Sequence, residues 1–287
     1  MVLGSKEASK PIGMFDSGVG GLSIALELLK QLPGERIIYF GDTANVPYGE
    51  KSESQLIALA DRITFFLVQK GVKAVVDACN STSSVALDYL KERYELPIIG
   101  VIEPGVREAI ERTKNGRIGV IATTATIMSS AHKRAAQKLD PSVKVFGQAC
   151  PKFVPLVEAG KVSCKEAENA CFEYLMPLVK KRIDTLILGC THYPFLIPVI
   201  RRIVGPEVAI VDPAVGTIRE LKEILEKKNM RKLSQPTGFK EQEYYVSGDP
   251  ILFKEVGEKL IGTSLGRVFR VAIDDKIIEN IKNGSAG

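Results

Sequence analysis

Nowhere in the 287-residue chain do five Lys or Arg residues stand together, although the formal net charge is +5. A nucleic-acid or membrane patch needs such clustering, so neither partner is expected, and a small anion suits the mild positive excess. No stretch approaches 18 uninterrupted apolar residues, and the opening MVLGSKEASKP lacks the apolar core of a signal peptide. Export and membrane spanning are therefore not expected, and this segment and the closing NGSAG read as loose termini. Cysteines are few and odd in number, five in all, with no C-x-x-C pair. That pattern argues against a disulfide framework and a zinc ribbon, and leaves reduced thiols in the cytoplasm as the expectation. The glycines of FDSGVGG (15–21) lack the G-x-G-x-x-G spacing and the lysine of a P-loop, so they point only weakly to a nucleotide.

What the chain does have is enough apolar residue content, 45%, for one large or two medium domains. Short apolar runs bounded by turn residues recur at 12–16, 36–41, 72–78, 97–101, 117–122, 185–189 and 208–212. They read as strands buried on both faces, and the stretches between them, such as Leu22 to Leu32 and Gln55 to Gln69, carry helical spacing. Alternation of the two gives the α/β class with parallel sheets. A weak internal repeat adds more. IGMFDSG (12–18) opens the first part and IGVIATT (118–124) the second, and each is followed by a strand that ends in cysteine, VVDACNST (75–82) and LILGCTHYP (186–194). Two pseudo-symmetric, doubly wound domains are thus expected, 1–103 with 217–287 as one and 104–216 as the other. Open α/β sheets bind ligands beyond the carboxyl ends of their strands, which puts Cys79 and Cys190 on either side of a shared cleft.

Two thiols so placed suit the removal of a proton from one face of a carbon and its replacement on the other. A thiol with an ordinary pKa near 8.5 serves as acid or base, and polar neighbours tune it. Asn80, Ser81 and Thr82 follow Cys79, and Thr191 and His192 follow Cys190. Asp16 and Ser17 end the first strand on the same rim, where a carboxylate can hold a substrate ammonium. Other readings are plainer. Cys164 and Cys171, seven apart, and Cys150, before Pro151, read as small buried hydrophobes. DTANVPYGEKS (42–52) reads as polar loop, and His132 as a structural or surface residue.

Taken in order, FDSGxGG, GDxxxxPYG, ACN followed by a hydroxyl residue, and GCTHYP resemble the glutamate racemases, from about Pro11 to Asp274. The resemblance implies catalysis by Cys79 and Cys190 in a cleft between two α/β domains, without pyridoxal phosphate or any other cofactor and without metal. It implies Asp16 and Glu158 as charge partners and His192 as the assistant of Cys190. Substrate contacts would come from Asp16, Ser17, Tyr48, Gly49, Asn80, Ser81, Thr123, Thr126, Thr191 and His192. The thiol matching Cys79 would work on D-glutamate and that matching Cys190 on L-glutamate, with D-glutamate supplied to peptidoglycan synthesis. The partner would be the small-molecule substrate, and a homodimer is compatible with the resemblance.

Five positions depart from the family pattern. Ser81 replaces a threonine, Ala122 and Ala125 replace glycines, His132 replaces a tyrosine, and Asp77 stands where an apolar residue is usual. Asp77 lies two residues before Cys79, hence on the same strand face, where a carboxylate would raise the thiol's pKa unless paired. Three rival readings stay open on residues alone. They are a racemase for aspartate or a related amino acid, a non-catalytic amino-acid-binding module, and a hydrolase using only Cys190 and His192.

Overall fold

The computed structural model describes residues 4–273. Its first half supplies β1 (Ile12–Asp16), β2 (Ile37–Gly41), β3 (Ala74–Asp77) and β4 (Ile98–Gly100). The second supplies β5 (Arg117–Ala122), β6 (Lys144–Ala149), β7 (Thr185–Gly189) and β8 (Ala209–Val211), and β9 (Glu243–Val246) and β10 (Val268–Arg270) follow. The seven expected strands form within a residue or two of their expected bounds. Pairing is parallel throughout, in the orders β10-β9-β2-β1-β3-β4 and β6-β5-β7-β8. The order 2-1-3-4 of the first sheet therefore recurs as 6-5-7-8 in the second. The repeat seen in the sequence is a repeat of topology.

Each sheet is wound on both faces. Leu22–Gln31 and Pro213–Lys227 bury Leu28, Ile218 and Leu221 against Met14 and Val76, while Glu53–Gln69 buries Ile63 and Leu67 against Phe15 and Val75. The second sheet sits likewise between Lys165–Lys180 on one side and Ile102–Arg112 with Ala131–Leu139 on the other. Residues alternate between these layers along the inner strands, and the apolar runs follow because both faces are covered. Among the described residues no helix is long and apolar enough to cross a membrane.

The opening segment departs from its expectation as a loose terminus. Gly4–Ser9 is helical, and the carbonyl of Ala8 accepts a 2.8 Å hydrogen bond from Lys73 Nζ. That lysine is fully enclosed, with Glu35 Oε2 at 2.6 Å and the Met230 carbonyl at 2.8 Å, while Glu35 Oε1 takes the Lys232 N–H. All three ammonium protons are matched, so the buried pair carries no orphan charge. Lys73→Met should leave Glu35 buried and unpaired, lowering stability by about 3–5 kcal/mol in urea titration. Adding Glu35→Gln should recover much of that loss, because the cost lies in the unpaired charge rather than the missing bridge. The closing NGSAG lies outside the described residues.

Candidate active site

The carboxyl ends of β1, β3, β5 and β7 meet around one cavity of about 330 Å³. Cys79 enters it just beyond β3, and Cys190 just beyond β7. Both thiols, one from each repeat, line this cavity although little of either is accessible.

Close packing explains two glycines of FDSGVGG, Gly20 between the two halves and Gly21 within its own. A Cβ on Gly20 would lie 2.4 Å from Thr191 Oγ1 and 2.5 Å from His192 Nδ1, and one on Gly21 would lie 2.6 Å from Asp16 Cβ. Gly20 brings backbone against the opposite lobe, and Gly21 makes room for Asp16 and Tyr39 of its own. Asp16, last in β1, is fully buried. Its Oδ2 accepts from the Gly21 N–H at 2.7 Å and from Thr191 Oγ1 at 3.2 Å, while Oδ1 has no partner. Burial raises its pKa despite the opposing pull of His192 and these bonds.

On the Cys190 side, Sγ stands 3.8 Å from His192 Nδ1. Nε2 of the same ring lies 3.3 Å from Glu158 Oε1, a charge contact without the alignment of a hydrogen bond. Burial alone would lower the pKa of His192. The Cys190 thiol and Glu158 carboxylate at its two ring nitrogens, with Asp16 nearby, outweigh burial and raise it to about 10. His192 is accordingly a buried imidazolium at neutral pH, and Glu158, 38% exposed, carries the balancing charge to the solvent edge. Cys79 has the opposite surroundings. Burial first, then the Asp16 and Asp77 carboxyls, push its thiol well above the usual range.

A cluster of hydroxyls bridges the lobes opposite these charges. Ser81 Oγ is 3.0 Å from Thr123 Oγ1 and 3.4 Å from Thr126 Oγ1, and the two threonines are 3.0 Å apart. Ser81, in the place of a threonine, thus still reaches its partners. Thr126 is buried behind Thr123 and does not reach the cavity wall, whereas Ser17, Tyr48, Gly49, Asn80, Thr123 and Thr191 do. Asn80 Oδ1 is buried without a partner. With Asp16 Oδ1 and His192 Nε2, it makes three under-satisfied polar atoms around one cavity, the mark of a site built for a polar ligand.

Two features of the site are absent from the sequence reading. Asp42 receives the Tyr48 hydroxyl at 2.5 Å and the Asn45 amide at 2.9 Å, fixing the PYG turn that walls the cavity. Its signal was in the GDTANVPYG segment, read there as loop. Cys150 also lines the cavity, packed among the apolar wall of Pro151, Val154 and Pro155, with its Sγ donating to the Gln148 carbonyl at 3.5 Å. His132 is buried behind Gly189, with Nε2 unpartnered and its pKa lowered to about 4 by burial. No group of three or more His, Cys, Asp or Glu among the described residues is arranged to hold a metal ion.

Comparison with known proteins gives this cavity its context. The family model for Asp/Glu/Hydantoin racemase matches residues 24–221. The glutamate racemase of Desulforudis audaxviator is 46% identical, with 89% of this chain and 95% of that protein aligned. Among solved structures, a glutamate racemase isoform from Bacillus anthracis superimposes with a TM-score of 0.86 at 37% identity, covering 92% of this chain and 98% of that one. The Francisella tularensis glutamate racemase, solved in complex with D-glutamate, gives 0.85 at 37% identity over 93% and 99% of the two chains. The chain belongs to the glutamate racemases of the Asp/Glu/Hydantoin racemase family.

Proposed function

We propose that Cys79 and Cys190 interconvert L- and D-glutamate without a cofactor, one thiol on each face of Cα. The observation that carries this reading is the entry of two thiols from topologically equivalent strand ends into one cavity. A binding module has no use for them, and a hydrolase needs only one. In each turnover one sulfur, as thiolate, takes the Cα proton. The electron pair left on Cα spreads into the α-carboxylate, and the other thiol delivers its proton to the opposite face. The two sulfurs exchange protonation states, and no electron or atom besides hydrogen is transferred.

The remaining groups have roles in this scheme that follow from their charge. Asp16 faces the substrate ammonium, and the imidazolium of His192, oriented by Glu158, stands against the Cys190 sulfur. Ser81 and Thr123, with Thr126 behind them, offer hydroxyls to a carboxylate, as do Ser17, Tyr48 and Thr191 at the cavity wall, where Asn80 adds its side-chain amide and Gly49 its backbone. The proposal includes the division into 1–103 with 217–287 and 104–216, supported by the membership of the two sheets. It also includes a cytoplasmic enzyme, alone or as a homodimer, that supplies D-glutamate to peptidoglycan.

Purified protein given L-glutamate and no added cofactor should generate D-glutamate until the two enantiomers are equal, followed by circular dichroism. L-Aspartate under the same conditions should turn over at least about tenfold more slowly, one methylene in a fitted site being worth about 1–3 kcal/mol. Faster turnover of aspartate would reassign the substrate, and no turnover of either would remove the enzymatic reading.

A further inference from the structure

Asp77 is a carboxyl in an apolar layer. It ends β3 in register with Phe15 of β1 and Gly100 of β4, so its side chain leaves on the face of Val75 and Phe15, beneath Glu53–Gln69. It is fully buried, and its contacts all run to the segment that carries Cys79. Oδ1 accepts from the Cys79 N–H at 3.2 Å and from Thr82 Oγ1 at 2.6 Å, and the Asp77 carbonyl accepts from Ser83 Oγ at 2.9 Å. Oδ2 is buried with no partner. The Cys79 side chain makes no cap for the helical turn Asn80–Ser83, so Asp77 supplies the acceptor from two residues upstream.

We propose that Asp77 is a positioning residue for Cys79, clamping the thiol-bearing turn through Thr82 and keeping Cys79 in its protonated form in the resting site. This rests on the reading of Cys79 as one of the two proton-transfer groups. The two thiols are then unequal before substrate arrives. Cys190 faces the ring of His192 at 3.8 Å, whereas Cys79 faces carboxyls from two strands, Asp16 of β1 and Asp77 of β3. The other titratable groups turned toward Cys79 are Tyr39 of β2, Tyr48 of the PYG turn and Cys190 of the opposite lobe. None of these is a cation. Burial, opposed by the Thr82 bond, pushes Asp77 up to about 8, so it is ionised where Cys79 begins to lose its proton and opposes that loss. The resting site is thereby loaded with acid at Cys79, and it is ready for the enantiomer whose hydrogen faces Cys190.

The test reads the thiols without catalysis. The whole protein is alkylated with iodoacetamide across pH, and modification of the Cys79 and Cys190 peptides is followed separately by mass spectrometry. Asp77→Asn keeps the acceptor oxygen and removes the charge, so the Cys79 midpoint should fall by about one pH unit or more while that of Cys190 stays in place. Asp77→Ala also loses the clamp. Its kcat should drop about 10- to 100-fold, a loss that Asp77→Asn partly restores. Thr82→Val serves if the Asp77 variants do not fold. It removes the donor that favours ionised Asp77, so the Cys79 midpoint should again fall, by less. Unmoved Cys79 midpoints with only lowered melting temperatures would make Asp77 a structural residue and overturn the proposal. Near-normal racemisation by Cys79→Ser is a separate result, which would remove the role of Cys79 while leaving the measured coupling intact.

Discussion

Cys79→Ser and Cys190→Ser should each stop racemisation, with losses on the order of 10²–10⁴ or more in rate, because each direction needs one sulfur as base and the other as acid. An alcohol ionises far less readily than a thiol, and serine is close enough in shape to keep the buried pocket intact. The informative companion is isotopic. With D-glutamate in D₂O, early turnover should place solvent deuterium at Cα of newly formed L-glutamate, and little should appear in recovered D-glutamate. Two sulfurs on opposite faces explain this. The proton taken stays on the first, while the second, equilibrated with solvent, supplies the deuteron. A single shared base would carry the substrate's own hydrogen across, and early product would retain it. Retention of substrate hydrogen, or near-normal rates in either serine variant, would refute the two-thiol assignment.

Legibility of the fold in the sequence followed burial. β1, β5 and β7 are covered on both faces, so their apolar runs stand out against polar turns. β6, by contrast, is a half-exposed edge strand containing Lys144, Gly147 and Gln148, and nothing in its composition marks it as a strand. β10, the other sheet's edge, is only Val268–Arg270 and is largely exposed. The site divides in the same way. Residues just beyond a strand end, such as Cys79 and Cys190, were readable because local sequence fixes their place on the rim, whereas Thr123 entered only through the family resemblance. Asp42 was not, since its importance lies in the Tyr48 hydroxyl that it receives. Cys150 sits among prolines and apolar residues and has the composition of an inert core thiol, although it lines the cavity wall. Asp77 was conspicuous as a carboxyl in an apolar strand, but the Thr82 hydroxyl that satisfies it became visible only with the turn in place.

His192→Asn should lower turnover by about 10²–10⁴-fold, the usual range for assistance to an acid/base group, and should also change how stability depends on pH. The ring is buried with Cys190 at one nitrogen and Glu158 at the other, so the folded state favours imidazolium up to about pH 10, whereas the unfolded ring titrates near 6.5. A group whose pKa is raised by folding contributes stability that is fully present below its unfolded value and is lost as pH rises through its folded value. The stabilisation from His192 is therefore complete below about pH 6.5 and fades toward pH 10. Asparagine has no charge to lose. Urea midpoints of the wild type should fall more steeply than those of the variant between pH 7 and pH 10, and subtracting the two curves cancels other groups that titrate there, Asp77 included. Glu158→Gln should reproduce part of the flattening with a smaller loss of rate, because it weakens one side of the imidazolium and leaves the contact with Cys190 in place. Parallel curves for wild type and His192→Asn would mean that the ring is neutral in the folded protein, and the assistance to Cys190 would then have to be sought elsewhere in the site.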